Sequence, residues 1–166
     1  MTEKKQIGLE ILTWMNKDQN YTRLLIPYAL SIGAITEEQA EICKAELDRY
    51  YQETGQTATH RDEVFMALMP ILGFSKCKIL YQLVMQLPKY HYERTTFKAH
   101  DEEIRKSFPG MSTHVYFKIV RELIEDGYIT KESGRNKVKL YTVNFSVLEE
   151  KYRESVVKNN KEQNAD

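Results

Sequence analysis

The fold of this chain is decided by residues 101–144, DEEIRKSFPGMSTHVYFKIVRELIEDGYITKESGRNKVKLYTVN. The pattern predicts a short helix, a tight turn at Pro109-Gly110, a longer amphipathic helix and a two-stranded hairpin. We expect the longer helix to begin at Ser112 or Thr113, because a hydroxyl there can accept a hydrogen bond from a free backbone amide. The stretch therefore predicts two helices joined by a turn and followed by a hairpin.

The longer helix, residues 112–126, has two chemically different faces. Its apolar residues recur at i, i+3, i+4 and i+7, which is typical of a helix with one buried stripe. That stripe comprises Tyr116, Ile119, Val120 and Leu123. The opposite face is predicted to present Thr113, His114, Phe117, Lys118 and Arg121. Because the acidic residues collect at its C-terminal end, the N-terminal half is polar, basic and favourable for phosphate.

The hairpin is predicted to have strands over residues 128–132 and 138–143, and a tip over residues 133–137. It carries four basic residues, Lys131, Arg135, Lys137 and Lys139, with Asn136 at the tip. A hairpin this rich in bases suits contact with phosphates or with a minor groove. Residues 95–98 have strand propensity and are expected to pair with the hairpin.

The segment STHVYFKIVRELIEDGYITKESGRNKVKLYTVN, residues 112–144, resembles the recognition helix and wing of winged helix-turn-helix DNA-binding proteins, including the multiple-antibiotic-resistance regulator type. The shared features are a Ser/Thr-led helix, a Leu-x-x-x-Gly-Tyr/Leu-Ile exit and a hairpin with a basic tip. The resemblance covers residues 75–145, with residues 76–87 as the first helix. It implies a fold of three helices plus a β-hairpin wing, with one helix placed in a DNA groove.

The resemblance implies that two groups of residues contact double-stranded DNA. On the helix they are Ser112, Thr113, His114, Phe117, Lys118 and Arg121; on the wing they are Lys131, Arg135, Asn136, Lys137 and Lys139. Phe117 departs from the family, whose helices usually offer a polar side chain there. It can contact a thymine methyl or pack against another protein. With only two bases in the helix, direct base readout is expected to be sparse.

The rest of the chain is predicted to be helical, so the whole is expected to be a mostly α protein. Residues 1–74 form an N-terminal helical domain in this interpretation, with helices over residues 3–17 and 21–32. Two capping boxes, at Thr36 and Thr59, predict the next two helix starts. Residues 64–72 are too apolar for a solvated helix and are expected to be buried. Residues 146–166 are expected to form a C-terminal helix with a frayed end after residue 158.

The flanking segments raise the question of partners. The C-terminal helix carries an apolar stripe, Val147, Leu148, Tyr152 and Val156, that needs a partner, and flanking helices often build dimers in the family that the chain resembles. We therefore expect a homodimer. Residues 1–74 are a candidate surface for a protein partner. The aromatic run Tyr90-His91-Tyr92 is interpreted as packing at a domain junction rather than as a platform for bases.

Composition excludes several classes of function. The chain has 24 Lys+Arg and 24 Asp+Glu, but residues 95–145 carry a small basic excess, 9 against 7. Cys43 and Cys77 are predicted to be buried free thiols, and the four histidines are too scattered for a metal site. No catalytic, cofactor or membrane-spanning motif is found, so a cytoplasmic protein that is not an enzyme is expected.

The predicted function is sequence-specific binding of double-stranded DNA, most directly as a dimeric transcriptional regulator. Two alternatives stay open. The first is a replication or mobile-element accessory factor that binds DNA and recruits a partner through residues 1–74. The second is an adaptor that uses the same fold to bind proteins only.

Overall fold

The computed structural model describes Thr2, Lys4, Lys5, Ile7, Gly8 and residues 25–55, 59–87, 95–108 and 110–163. The protein is mostly helical, with a small three-stranded antiparallel sheet. It divides into two compact units, Met1–Phe74 and Ser75–Asp166. The predictions for most of residues 3–24, which include Trp14, and for Tyr90 to Tyr92 fall outside the described residues.

In the first unit the structure gives the bounds of α1 (Ile26–Ser31), α2 (Glu37–Thr54) and α3 (His60–Leu72). Both predicted capping boxes are confirmed. At α2 the hydroxyl of Thr36 accepts from the Gln39 amide while the Gln39 side chain accepts from the Thr36 amide, and at α3 Thr59 and Asp62 do the same. Each box satisfies two backbone amides that would otherwise lack a partner.

Helix α3 is buried over most of its apolar face, but one prediction for it is wrong. Val64, Phe65 and Leu68 are fully buried, as is Met69. Ile71, which was expected to be buried with them, is 48% exposed. It lies in the last turn of α3, seven residues after Val64 and therefore on the same stripe. Periodicity gives the face of a helix, but tertiary packing decides how far along the helix that face is covered.

Helix α4 (Phe74–Met85) begins at the last residue of the first unit and runs into the second. The second unit continues with β1 (Thr96–His100), α5 (Asp101–Arg105), α6 (Thr113–Glu125), β2 (Ile129–Ser133), β3 (Val138–Val143) and α7 (Phe145–Gln163). The strand order is β1-β3-β2, and both pairings are antiparallel. The predicted strand before the short helix is thus confirmed, two residues longer at its C-terminal end.

The core of the second unit contains the predicted stripe of α6. All four of its residues are buried, as are Ile104 and Phe108 of the preceding segment. From α7 the core takes Phe145 and Leu148. The prediction of a frayed end is wrong for residues 159–163, because α7 is helical to Gln163 and no glycine or proline interrupts it.

Candidate nucleic-acid interface

The start of α6 is set by Ser112. Its backbone is extended, with φ −68° and ψ 153°, and its Oγ accepts a hydrogen bond from the Val115 amide at 3.2 Å. Ser112 is therefore the N-cap, and Thr113 and His114 form the exposed first turn. Because amides at a helix N-terminus point away from the helix, this end of α6 is polar and carries positive partial charge.

The outer face of α6 carries three exposed side chains, His114, Lys118 and Arg121. Their spacing of i, i+4 and i+7 places them in one row along the helix. Within the described chain none of these side chains forms a hydrogen bond or an ion pair. The row is therefore available to a partner that offers acceptors or negative charge.

Of the acids at the C-terminal end of α6, the exposed Glu125 follows Arg121 in the same row, whereas Glu122 and Asp126 lie to one side. Lys76 of α4 has its Nζ 3.0 Å from Glu122 Oε2 and 3.9 Å from Asp126 Oδ2. This pairing links α4 to the C-terminal end of α6. It also neutralises part of the negative charge that would repel a polyanion from the outer face, since an opposite charge at this range offsets the field of the carboxylates.

Phe117 lies at the flank of α6 rather than on its open face. Its ring meets that of Tyr116 edge-on, with centroids 5.1 Å apart. The Nζ of Lys131, from β2, lies 5.2 Å from the Phe117 centroid, within range of a cation–π interaction. The side chain is half-buried. The open aromatic contact that was expected of Phe117 is thus reduced to the part of the ring that Lys131 does not cover.

Lys131 was expected to contact phosphate, but in the structure its ammonium group faces a carboxylate of the same unit. Its Nζ is 3.4 Å from Asp101 Oδ2, and the two side chains are only 20% and 16% exposed. The register of the hairpin is the physical reason. Lys131 is directly opposite Tyr141, so the two side chains share one face of the sheet, and that face packs towards α5 and α6. Lys131 belongs to an internal ion pair.

Asp101 joins this pair to the core. Its Oδ1 accepts a hydrogen bond from the Tyr141 hydroxyl, and the Tyr141 ring stacks on Phe97 of β1 with centroids 5.2 Å apart. Burial raises the pKa of Tyr141, and the hydrogen bond to Asp101 raises it further because the carboxylate stabilises the protonated hydroxyl. Asp101 therefore has specific partners in two strands, Lys131 of β2 and Tyr141 of β3.

The tip of the hairpin is a tight turn with unusual backbone geometry. The Val138 amide donates to the Arg135 carbonyl, and Asn136 and Lys137 both have positive φ, 56° and 63°. Two successive left-handed residues at the centre of such a turn define type I′. The side chains of Arg135, Asn136 and Lys137 are exposed and have no partner in the described chain. Lys139 is half-buried and donates to Ser133 Oγ at 3.1 Å.

A cleft of about 500 Å³ separates α6 from the hairpin tip. Its described lining residues are His100, Asp101, Glu102, Glu103, Phe117, Lys137 and Lys139. The cleft brings one predicted helix residue together with two predicted hairpin residues, so part of the candidate site is contiguous. The sequence did not predict that three acids, Asp101, Glu102 and Glu103, would line the same cleft. Glu102 is engaged locally, because Arg105 donates to it at 2.8 Å and that hydrogen bond lowers the pKa of Glu102.

Charge is distributed unevenly between the two units. Met1–Phe74 contains 7 Lys+Arg and 11 Asp+Glu, whereas Ser75–Asp166 contains 17 and 13. The formal net charges are therefore −4 and +4, which cancel in the whole chain. The candidate interface lies entirely in the positive unit, where a polyanion would be attracted.

Comparisons with family models, with curated proteins and with solved structures return no match to this chain. Among the described residues no three His, Cys, Asp or Glu side chains are grouped so that they could hold a metal ion. None of the described helices is long and apolar enough to cross a membrane. Cys43 and Cys77 are buried free thiols, as predicted. The interface must therefore be judged on its own geometry and charge.

Proposed function

We propose that residues 75–145 form a winged helix-turn-helix domain and that the protein binds specific sequences in double-stranded DNA as a transcriptional regulator. In this proposal α6 enters the major groove and the β2–β3 hairpin is the wing. The order of elements supports it, since α5, the turn before Ser112, α6 and the hairpin follow one another as such a domain requires.

One observation carries the proposal. Basic side chains without partners in the described chain are exposed both on the outer face of α6 and at the hairpin tip. Two acids at the C-terminal end of α6, Glu122 and Asp126, are paired with Lys76, and Glu125 is exposed there. A row of exposed cations and donors attracts a polyanion electrostatically. DNA offers phosphates to both sites and base edges to one of them.

The roles of the residues follow from their positions. Lys118 and Arg121 would donate to base edges, with Thr113 and His114 near the N-terminal end of the helix. Arg135 and Lys137 would contact phosphates from the tip. A homodimer would double this small set of contacts. Of the stripe of α7 that the sequence assigns to it, Leu148 is buried in the core and Val156 is 38% exposed.

Binding to a fluorescent random duplex, measured by anisotropy over a range of salt concentrations, tests the proposal. The double variant Arg121→Ala with Arg135→Ala is expected to bind more weakly and to lower the slope of log K against log salt by about 0.9, since Arg135 is the one of the two that is assigned to a phosphate. Lys158→Ala, which removes a base from α7, is the matched control and should leave the slope unchanged. An unchanged slope in the double variant would disprove this assignment of the binding face.

The bound sequence separates a regulator from a replication or mobile-element accessory factor. Selection of duplexes from a random library by the purified protein would give that sequence. A regulator is expected to select sites near promoters, and an accessory factor sites at origins or recombination junctions. Recovery of no preferred sequence would leave only non-specific binding and would contradict the proposed specificity.

A further inference from the structure

We propose that the Asp101–Lys131 ion pair positions the hairpin against α6, so that DNA affinity depends on a carboxylate that does not itself touch DNA. The inference rests on the proposed function and deepens it. It also changes the role of Lys131, which acts through Phe117 and Asp101 instead of through a phosphate.

The geometry shows what the pair connects. Lys131 lies in β2, Asp101 at the start of α5 and Phe117 on α6. The Nζ of Lys131 is 3.4 Å from the Asp101 carboxylate and 5.2 Å from the Phe117 centroid. The ammonium group of Lys131 therefore connects strand β2 of the hairpin with α5 and with α6, the helix that carries His114, Lys118 and Arg121.

Asp101 is itself held in place from the other side. The Tyr141 hydroxyl, from β3, donates to its second oxygen, and Tyr141 lies opposite both Lys131 and Phe97 in the sheet. The carboxylate thus has two different partners on the two strands of the hairpin. A carboxylate that is held by several fixed contacts and is largely shielded from solvent orients its neighbours more strongly than a carboxylate in an exposed ion pair does.

The sign of the effect distinguishes positioning from direct contact. Removing a negative charge near a DNA-binding face ordinarily raises affinity, because it removes repulsion of the phosphates. If Lys131 contacted DNA directly, loss of the Asp101 charge would also free its ammonium group for that contact. Positioning predicts the opposite, a loss of affinity, since the hairpin tip would no longer be held where Arg135 and Lys137 reach the backbone.

The decisive variant is Asp101→Asn in the full-length chain. The amide oxygen can still accept from Tyr141, so only the ion pair is removed. The matched control is Glu103→Gln, which neutralises an exposed acid of the same cleft that has no partner in the described chain. We expect Asp101→Asn to weaken binding to a random duplex on the order of tenfold at low salt and Glu103→Gln to strengthen it. Asp101→Asn binding that equals or exceeds that of the wild type would overturn the inference.

A second measurement does not depend on DNA. Nuclear Overhauser effects between the Phe117 ring and the Lys131 methylenes should be present in the wild type and in Glu103→Gln, and should weaken in Asp101→Asn. Persistence of these effects in an Asp101→Asn protein with reduced affinity would also overturn positioning. If wild-type protein fails to bind duplex at low salt, it is the proposed function that fails, which is a different result from either of these.

A further pair of substitutions covers the case in which Asp101→Asn does not fold. Asp101→Asn combined with Lys131→Met removes both charges and leaves no ion unpaired in a poorly solvated site. This protein is expected to fold and to lose about 2 from the salt slope, because both tip contacts are misplaced. A loss of about 1 would instead indicate that Lys131 alone had contacted a phosphate, and would contradict the inference.

Discussion

Lys137 adopts a backbone conformation that suits a different residue. At the second central position of a type I′ turn glycine is preferred, because a side chain at positive φ costs roughly 1 kcal/mol or more. The first central position, Asn136, holds a residue that tolerates this geometry. A lysine in the strained position is consistent with selection for its charge at the tip rather than for stability of the turn.

Lys137→Gly is therefore expected to make the protein more stable and less able to bind DNA. Relief of the strain exceeds the entropy that glycine loses on folding, so the free energy of unfolding should rise by roughly 0.5 kcal/mol. The salt slope for DNA should fall by about 0.9. Urea unfolding and anisotropy measure the two effects. Lys137→Ala is the control, since it removes the charge and keeps the strain; equal stability of the glycine and alanine variants would contradict the argument.

Two buried tyrosines predict sensitivity to alkali. Burial raises the pKa of Tyr116 from 10 to about 12, and that of Tyr141 is also raised, first by burial and then by Asp101. Above pH 10 the unfolded chain releases these protons while the folded chain retains them. The unfolded state then binds fewer protons, so the free energy of unfolding falls as pH rises.

For Tyr116 the loss should begin near pH 10, continue to about pH 12, and approach roughly 1.4 kcal/mol per pH unit within that window. Urea unfolding at several pH values, with tyrosinate absorbance as the readout of ionisation, measures it. Tyr116→Phe removes the titrating group and should have a shallower dependence on pH. An identical dependence in the two proteins would show that Tyr116 does not titrate in this way.

At the scale of elements, Ser112 serves two purposes that a substitution can separate. It caps α6, and the resemblance also assigns it to the DNA interface. Ser112→Asp should keep the stability within about 0.5 kcal/mol, because aspartate caps helices as well as serine does and favours the positive end of the dipole. Its carboxylate should weaken DNA binding, since it would face the phosphates.

Ser112→Ala makes the opposite change and is the matched control. Loss of the cap is expected to cost about 1 kcal/mol of stability, while the folded fraction should bind DNA better than Ser112→Asp does. Thermal unfolding and anisotropy at one salt concentration are sufficient. If Ser112→Asp binds as the wild type does, the N-terminus of α6 does not approach phosphate.

At the scale of the whole molecule, the opposite charges of the two units make the second unit a candidate for independent binding. Residues 74–166 contain all of α4 and every residue of the proposed interface. We expect this fragment to fold, to show the salt slope of the full chain, and to bind random duplex at least as tightly, because the net charge of −4 in the first unit is removed.

Circular dichroism of the fragment checks its fold, and anisotropy compares its affinity with that of the full chain. A fragment that is folded but has a smaller salt slope would show that residues of the first unit also contact phosphate. In that case the interface proposed above would be incomplete.

Local features of the sequence were sufficient to predict much of this structure. The capping residues Thr36 and Thr59 were identified correctly, and Ser112 was one of two candidates, because a helix start is decided by hydrogen bonds within four residues of it. The buried stripe of α6 followed from spacing alone, since helical geometry determines which side chains share a face.

The candidate site was predicted less completely. The sequence identified the exposed cations of α6 and the hairpin tip, but it grouped Lys131 with them and gave Asp101 no partner. Asp101 is 30 residues from Lys131 and 40 from Tyr141 in the chain, and no local pattern joins residues at such separations. Alternation along β3 could at most have indicated that Tyr141 faces inward.

What the sequence determined by itself was therefore the order of helices and strands from residue 36 onward, the caps at Thr36 and Thr59, the inward face of α6 and the bases of the hairpin, because all of these depend on interactions between near neighbours. Tertiary structure alone decided the register of the hairpin, the exposure of Ile71 and the partners of Lys131. The physical reason is that a strand shifted by one residue turns every side chain to the other face. Whether Lys131 meets Asp101 or solvent is decided only when the strands pair.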